Sequence, residues 1–224
     1  MNATTLRTAS PATAAEPGDR FLDRQRQPLA LALLVSAQFL VMLDTSIVNV
    51  ALPSIQSELG FGPAAVTWVV NAYVLSFAGL LLLSGRASDL FGRRRLFTTG
   101  AGLFTLGTLT AALATSPELL IGGRVVQGVG AAALSPAAMS LLLATFPAEQ
   151  RPRAMGAWGA ASTLGGATGV VTGGLLAGNL GWRSVFLVTV PVSMAAAALA
   201  RRVLAPDSIT QRRSLDWAGA PRAT

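Results

Sequence analysis

The stretch LALALLVSAQFLVMLDTSIVNVAL, residues 29–52, holds a single charged residue, Asp44, among twenty-four. At 1.5 Å per helical residue it is about 36 Å long, enough to cross a hydrocarbon core of about 30 Å. Such a run is too long for the hydrophobic part of a signal peptide, and the polar segment before it is long as well, so no cleaved leader is expected. Five further apolar runs follow, at about 65–84, 96–115, 117–146, 154–178 and 185–203. The expected fold class is therefore an all-α membrane protein of six transmembrane helices, with the first span stopping at Pro53. Residues 1–28 read as a disordered polar tail, 29–203 as the helical bundle, and 204–224 as a polar linker to a further helix that the sequence does not supply.

Composition agrees with a lipid environment. Only 12% of the 224 residues are charged and 52% are hydrophobic, whereas soluble domains carry about 25% charged residues. The chain has no Cys and no His. Disulfides, thiolate or imidazole metal sites, and Cys or His acid–base chemistry are thereby excluded. All 17 basic residues are Arg, so the lysine of a phosphate-binding P-loop is missing too. No cofactor or metal is expected.

The net charge of +7 does not mark a nucleic-acid partner, because the Arg residues lie in clusters between apolar runs. The tail, the segments 85–95 and 148–153, and the stretch after residue 200 hold fifteen of the seventeen. Only Arg183 falls on the opposite side, and Arg124 lies within the fourth run. Basic residues stay on the cytoplasmic face. A multi-pass protein of the cell (inner) membrane with both termini in the cytoplasm is expected.

An ionisable side chain within a span is costly and usually faces a cavity or a partner. Asp44 lies eight residues before the outer end of its run, about 12 Å deep, and Arg124 seven residues after Pro117, about 10 Å deep. The matched depths suggest a pair that exchanges its partner for a proton; a static structural ion pair is the alternative. On the first span Gln38, Thr45 and Asn49 share a narrow arc with Asp44 at its edge, and on the fourth Arg124, Gln127, Gly128, Ala131 and Ser135 form one stripe. Gln38, Thr45, Asn49 and Gln127 are thus candidates to line a cavity. The fifth span has Gly165, Gly169 and Gly173 at intervals of four, which admits the backbone of another helix; tight packing alone accounts for that spacing. The Gly128-Val-Gly130 element has neither the preceding strand nor the following acid of a dinucleotide site.

Together these residues resemble the major facilitator superfamily, in particular its fourteen-helix drug:proton antiporter branch. Residues 43–53, LDTSIVNVALP, are similar to that branch's first-helix motif LDxTxVNVALP. Residues 85–95, GRASDLFGRRR, resemble the family's loop between helices two and three at Gly85, Asp89, Gly92, Arg93 and Arg94, with Ala87 in place of Leu and Leu90 in place of a basic residue. Residues 124–130, RVVQGVG, resemble the fourth-helix motif. Gly156, Gly165, Gly169, Gly173 and Gly174 match the antiporter glycine pattern, with Val170 where that pattern has Pro. The resemblance implies proton-coupling roles for Asp44 and Arg124, and a gating role for Asp89 with Gly85, Gly92, Arg93 and Arg94. It also implies a glycine helix characteristic of export. The expected function is proton-coupled efflux of a drug or metabolite. Its partners are the lipid bilayer, protons, a small-molecule substrate, and a missing C-terminal half or second subunit. Residues 215–219, LDWAG, resemble the lead into that half. A six-helix protein that dimerises and a non-functional truncated fragment are the alternatives. A polytopic membrane enzyme is disfavoured: no Ser–His dyad can form, and only Asp44 is clearly intramembrane for an aspartyl pair.

Overall fold

A computed structural model describes residues 17–204, with the backbone alone for 17–26 and for residue 89. Residues 1–16 of the expected tail and 205–224 of the expected linker, including 215–219, lie outside the described residues. Among the described residues there are seven helices and no strand: α1 Pro17–Leu59, α2 Trp68–Phe91, α3 Arg93–Ala112, α4 Pro117–Thr145, α5 Arg151–Leu180, α6 Arg183–Leu187 and α7 Val190–Val203. Five segments are long and apolar enough to cross a membrane: Gln27–Leu59, Trp68–Ser88, Pro117–Thr145, Arg151–Leu180 and Arg183–Val203. The sixth expected span is α3. It is less apolar because it opens on Arg93, Arg94 and Arg95 and is rich in Gly and Thr.

Several boundaries differ from the expectation, each for a local reason. The first span does not stop at Pro53. The helix runs through Pro28 and Pro53 and ends where Gly60 adopts φ 69°, because a proline removes one backbone hydrogen bond and bends a helix without always ending it. At its other end α1 starts at Pro17, inside the segment expected as a disordered tail; proline suits the first helical position, where its missing N–H is not needed. The segment 85–95 is helical rather than a loop, apart from Gly92 at φ 95°. The last span divides into α6 and α7 just before Pro191, whose ring is incompatible with an unbroken preceding turn.

Helix pairing rests on glycine. In α3 and α4, Gly100 faces the backbone of Leu134, Gly130 that of Phe104, Gly107 that of Gln127, and Gly123 that of Ala111. Each step forward on α3 matches a step back on α4, so the two helices are antiparallel. In α1 and α5, Gly165, Gly169 and Gly173 meet the carbonyls of Phe39, Leu43 and Ile47 in turn, which makes these helices parallel. Gly128 of α4 likewise rests on Tyr73 of α2. In lipid there is no hydrophobic drive between helices, so close backbone approach supplies the packing. The result is an exchanged arrangement, α1 against α5 and α4 against α2, with α4 also touching α1 and α3.

The interior divides into two apolar clusters. One contains Leu40, Tyr73, Phe104 and Ala131. The other contains Leu43, Ile47, Val69, Ala111 and Leu120. On α3 and α4 the chain passes from one cluster to the other within about two and about three turns, with Thr108, Arg124 and Gln127 in those intervals, and Asp44 lies just past the change on α1.

Candidate functional site

Asp44 of α1 and Arg124 of α4 meet at this divide, both essentially inaccessible to solvent. Arg124 Nη1 donates to Asp44 Oδ2 at 2.7 Å. Removing two charges from water costs several kcal/mol per ion unless the remaining polar atoms are also bonded, and here most are. Arg124 Nε donates to the Val69 carbonyl of α2 at 3.0 Å, and Nη1 also donates to Gln127 Oε1 at 2.6 Å. The guanidinium lies 4.3 Å from the Tyr73 ring centroid, a geometry worth about 2 kcal/mol when desolvated.

Gln127 is the pivot. Its amide oxygen takes Arg124, while Nε2 donates to Asp44 Oδ1 at 2.7 Å and to Thr108 Oγ1 of α3 at 2.9 Å. The Thr108 hydroxyl in turn donates a hydrogen bond to the Phe104 carbonyl. Four helices thus share one hydrogen-bond network, in which α4 alone bonds the α1 carboxylate and α2 and α3 hold Arg124 and Gln127. The contact between the charges is a single N–H···O bond, not the two-pronged fork open to Arg and carboxylate; the second carboxylate oxygen is held by a neutral amide. Protonating Asp44 therefore breaks one charge-assisted contact and leaves Arg124 its carbonyl, amide and aromatic partners.

The other candidates are distributed more widely. Gln38 is buried away from the pair, donating to Ser162 of α5 at 2.9 Å and accepting from Ser135 of α4 at 3.2 Å. Thr45 and Asn49 bond to their own helix, at the carbonyls of Val41 and Thr45, and Asn49 is exposed. Of the cavity-lining candidates, the structure brings only Gln127 into hydrogen-bond contact with the charged pair. Of the glycine pattern, Gly165, Gly169 and Gly173 lie against α1; Gly156 meets nothing within 4 Å and Gly174 only Val50, at 4.0 Å. Gly85 lies within α2, and Gly92 forms the corner between α2 and α3. Arg94 reaches the Leu204 carbonyl at 3.3 Å and Arg93 is half-buried, while the Asp89 side chain lies outside the described residues.

Sequence reasoning missed Tyr73, Thr108 and the Val69 carbonyl. Thr108 is one of several threonines along α3, and a backbone carbonyl has no signature at all. Tyr73 carries one faint signal: it is the only tyrosine in the chain. At the opposite end, Arg183 pairs with Glu58 of α1, bonds the Ala114 carbonyl, and lies over Trp182.

Proteins similar to this chain include export and resistance proteins. The Major Facilitator Superfamily profile matches residues 34–223. The cephamycin export protein CmcT of Amycolatopsis lactamdurans is 48% identical over 198 residues, covering 87% of this chain and 41% of that protein. The puromycin resistance protein pur8 of Streptomyces alboniger is 46% identical over 184 residues, 81% of this chain and 36% of that protein. This chain thus spans roughly two-fifths of the length of these relatives. Among solved structures, a bacterial homolog of the human lysosomal transporter Spinster, in an inward-facing and occupied conformation, superposes with a TM-score of 0.67. It is 21% identical, with 89% of this chain and 48% of that chain covered, a likeness of fold. A buried charge pair at the junction of four glycine-packed helices, a profile match over nearly the whole sequence and exporters among its relatives lead to one assignment: the chain belongs to the major facilitator superfamily.

Proposed function

We propose that this chain forms the N-terminal half of a proton-coupled exporter of antibiotic-like small molecules, in the fourteen-helix drug:proton antiporter branch, with Asp44 carrying the proton. The observation that carries this reading is the buried Asp44–Arg124 contact with Gln127 bonded to both members. Arg124 supplies the counter-charge that an ionised carboxylate needs in a buried site. A helix or substrate displacement that draws Arg124 away leaves the carboxylate buried without its counter-charge, which favours proton uptake. The charge of Asp44 then follows conformation, and a ligand that prefers one conformation is linked to the proton. A second half supplies the other wall of the pathway, as in transporters whose site lies between two repeats. The proteins named for cephamycin export and puromycin resistance motivate the substrate class.

The Arg distribution supports a cytoplasmic location for both ends of the bundle in the cell membrane. Asp89, Arg93 and Arg94 lie at that face and form the conformational gate; Asp89→Asn in the complete transporter is expected to slow transport with ligand affinity retained.

The test is pH-gradient-driven puromycin uptake into everted membrane vesicles containing the complete transporter. Asp44→Asn is expected to abolish the gradient-driven component at an unchanged amount of folded protein in the membrane. Wild-type uptake from well-inserted Asp44→Asn protein would overturn the proton-carrier role. Poor insertion, repaired by adding Arg124→Gln, would mark the pair as a static strut.

A further inference from the structure

Tyr73 sits at the centre of the charged site, yet the pairing of Asp44 with Arg124 does not require it. Its side chain is 2% exposed. Its ring covers the Arg124 guanidinium at 4.3 Å and lies parallel to Phe77 of the next helical turn, with centroids 6.1 Å apart and planes within 2°. Gly128 holds the Tyr73 backbone hard against α4, so the ring has little room to leave. Its hydroxyl is buried and makes no hydrogen bond, although Thr45 lies beside it without the geometry of a full bond. A buried hydroxyl without a partner costs about 1–3 kcal/mol. Such a group is retained in a polar site at a loss unless another state of the site uses it.

The other polar atoms around Asp44 are committed. Gln127 Oε1 receives Arg124, and the Thr108 hydroxyl both receives Gln127 and donates to the Phe104 carbonyl. The Val69 carbonyl receives Arg124. When the carboxylate takes up a proton, two needs arise together: a neutral acid with a new O–H to place, and a buried cation that has lost its counter-charge. The Tyr73 ring face meets the second need and its vacant hydroxyl oxygen the first.

We propose that Tyr73 is a positioning residue for the protonated state of the site. Its ring retains the Arg124 guanidinium when Asp44 is neutral, and its hydroxyl oxygen accepts the hydrogen bond of the protonated carboxyl. The proton comes from water and returns to it; no bond other than the carboxyl O–H is made or broken. The charged groups acting on the phenol are Asp44 of α1 and Arg124 of α4, with the uncharged Thr45 beside it. Gln127 of α4 and Thr108 of α3 complete the cluster around the carboxylate without adding charge. This inference rests on Asp44 being a proton carrier.

The test uses the complete transporter in lipid nanodiscs, where the ultraviolet resonance Raman doublet of tyrosine reports phenol hydrogen bonding and the Tyr73 component is isolated as the difference from Tyr73→Phe. The transporter is titrated with acid while infrared spectroscopy follows the carbonyl band of a protonated buried carboxyl. That band is assigned to Asp44 by its loss in Asp44→Asn. The expected result is a change in the Tyr73 doublet over the same pH interval in which the Asp44 carbonyl band appears. In Tyr73→Phe the band is expected to move to higher wavenumber, because the acid has lost its acceptor. An Asp44 band that appears while the Tyr73 doublet stays constant overturns the role of Tyr73 and leaves the proton carrier standing. Absence of the band throughout the titration overturns both.

Discussion

Replacing Gly169 with alanine tests the glycine seam between α1 and α5 next to the charged site. A Cβ at this position would stand 2.7 Å from the Leu43 carbonyl oxygen, 2.8 Å from Ser46 Cβ and 3.2 Å from the Ile47 amide nitrogen, against an ordinary contact distance of 3.4 Å or more. Two of the three obstacles are backbone and the third is the first side-chain carbon, so no rotamer change relieves them. The helices must part locally by about 0.7 Å, a gap that already forfeits a quarter or more of each contact's dispersion energy. Overpacking of this kind costs about 2–3 kcal/mol, partly offset by about 1 kcal/mol from alanine's better helix propensity. Gly159 on the same helix meets nothing within 4 Å, so Gly159→Ala takes the propensity gain alone. The two variants should therefore differ by about 2–3 kcal/mol, roughly 4–12 °C in Tm for a chain of this size. Heating in detergent while following tryptophan fluorescence reads the difference, since Trp158 and Trp182 are both buried. Equal melting of the two variants, or a more stable Gly169→Ala, would refute the backbone seam.

Three further outcomes follow from the same geometry. Thr108→Val removes the acceptor of one Gln127 N–H and should cost about 1–2 kcal/mol in thermal unfolding; no loss would detach α3 from the site. Glu58→Ala should cost under about 1 kcal/mol, because its pair with Arg183 is solvent-exposed, and a large drop in melting would give that ion pair a weight its exposure does not suggest. A reporter fused after residue 204 should be active only if it works in the cytoplasm, and periplasmic activity would invert the topology.

The pairing of Asp44 with Arg124 was legible because each is the one charged residue within its apolar run, 29–52 and 119–146, so two charges at matched distance from one end stand out. Gln127 joined them through its place on the Arg124 stripe. Tyr73 and Thr108 were hidden for opposite reasons. An aromatic in an apolar span reads as lipid-facing or core, and threonine in a helix usually bonds its own preceding turn, as Thr105 and Thr110 do. The exchanged pairing of helices was not legible, because lipid and a neighbouring helix place the same demand for apolar surface on a span. The glycine spacing on α5 announced a close approach without naming α1 as its partner. Proline misled at position 53, where the helix continues, although Pro191 does accompany a break.

The spans are also of very unequal length. Gln27–Leu59 has 33 residues and Trp68–Ser88 has 21, about 50 Å and about 32 Å as helices. The shorter matches a hydrocarbon slab of about 30 Å; the longer overshoots it by about 20 Å. The excess of α1 must emerge as a stalk or lean away from the membrane normal, at a cost of fractions of a kcal/mol per ångström of mismatch. A thicker bilayer would swallow more of α1 while exceeding the reach of α2, loading one helix and stretching the other. Because both contribute partners to Arg124, α1 through Asp44 and α2 through Val69 and Tyr73, a change in bilayer thickness would load the Asp44–Arg124 pair mechanically.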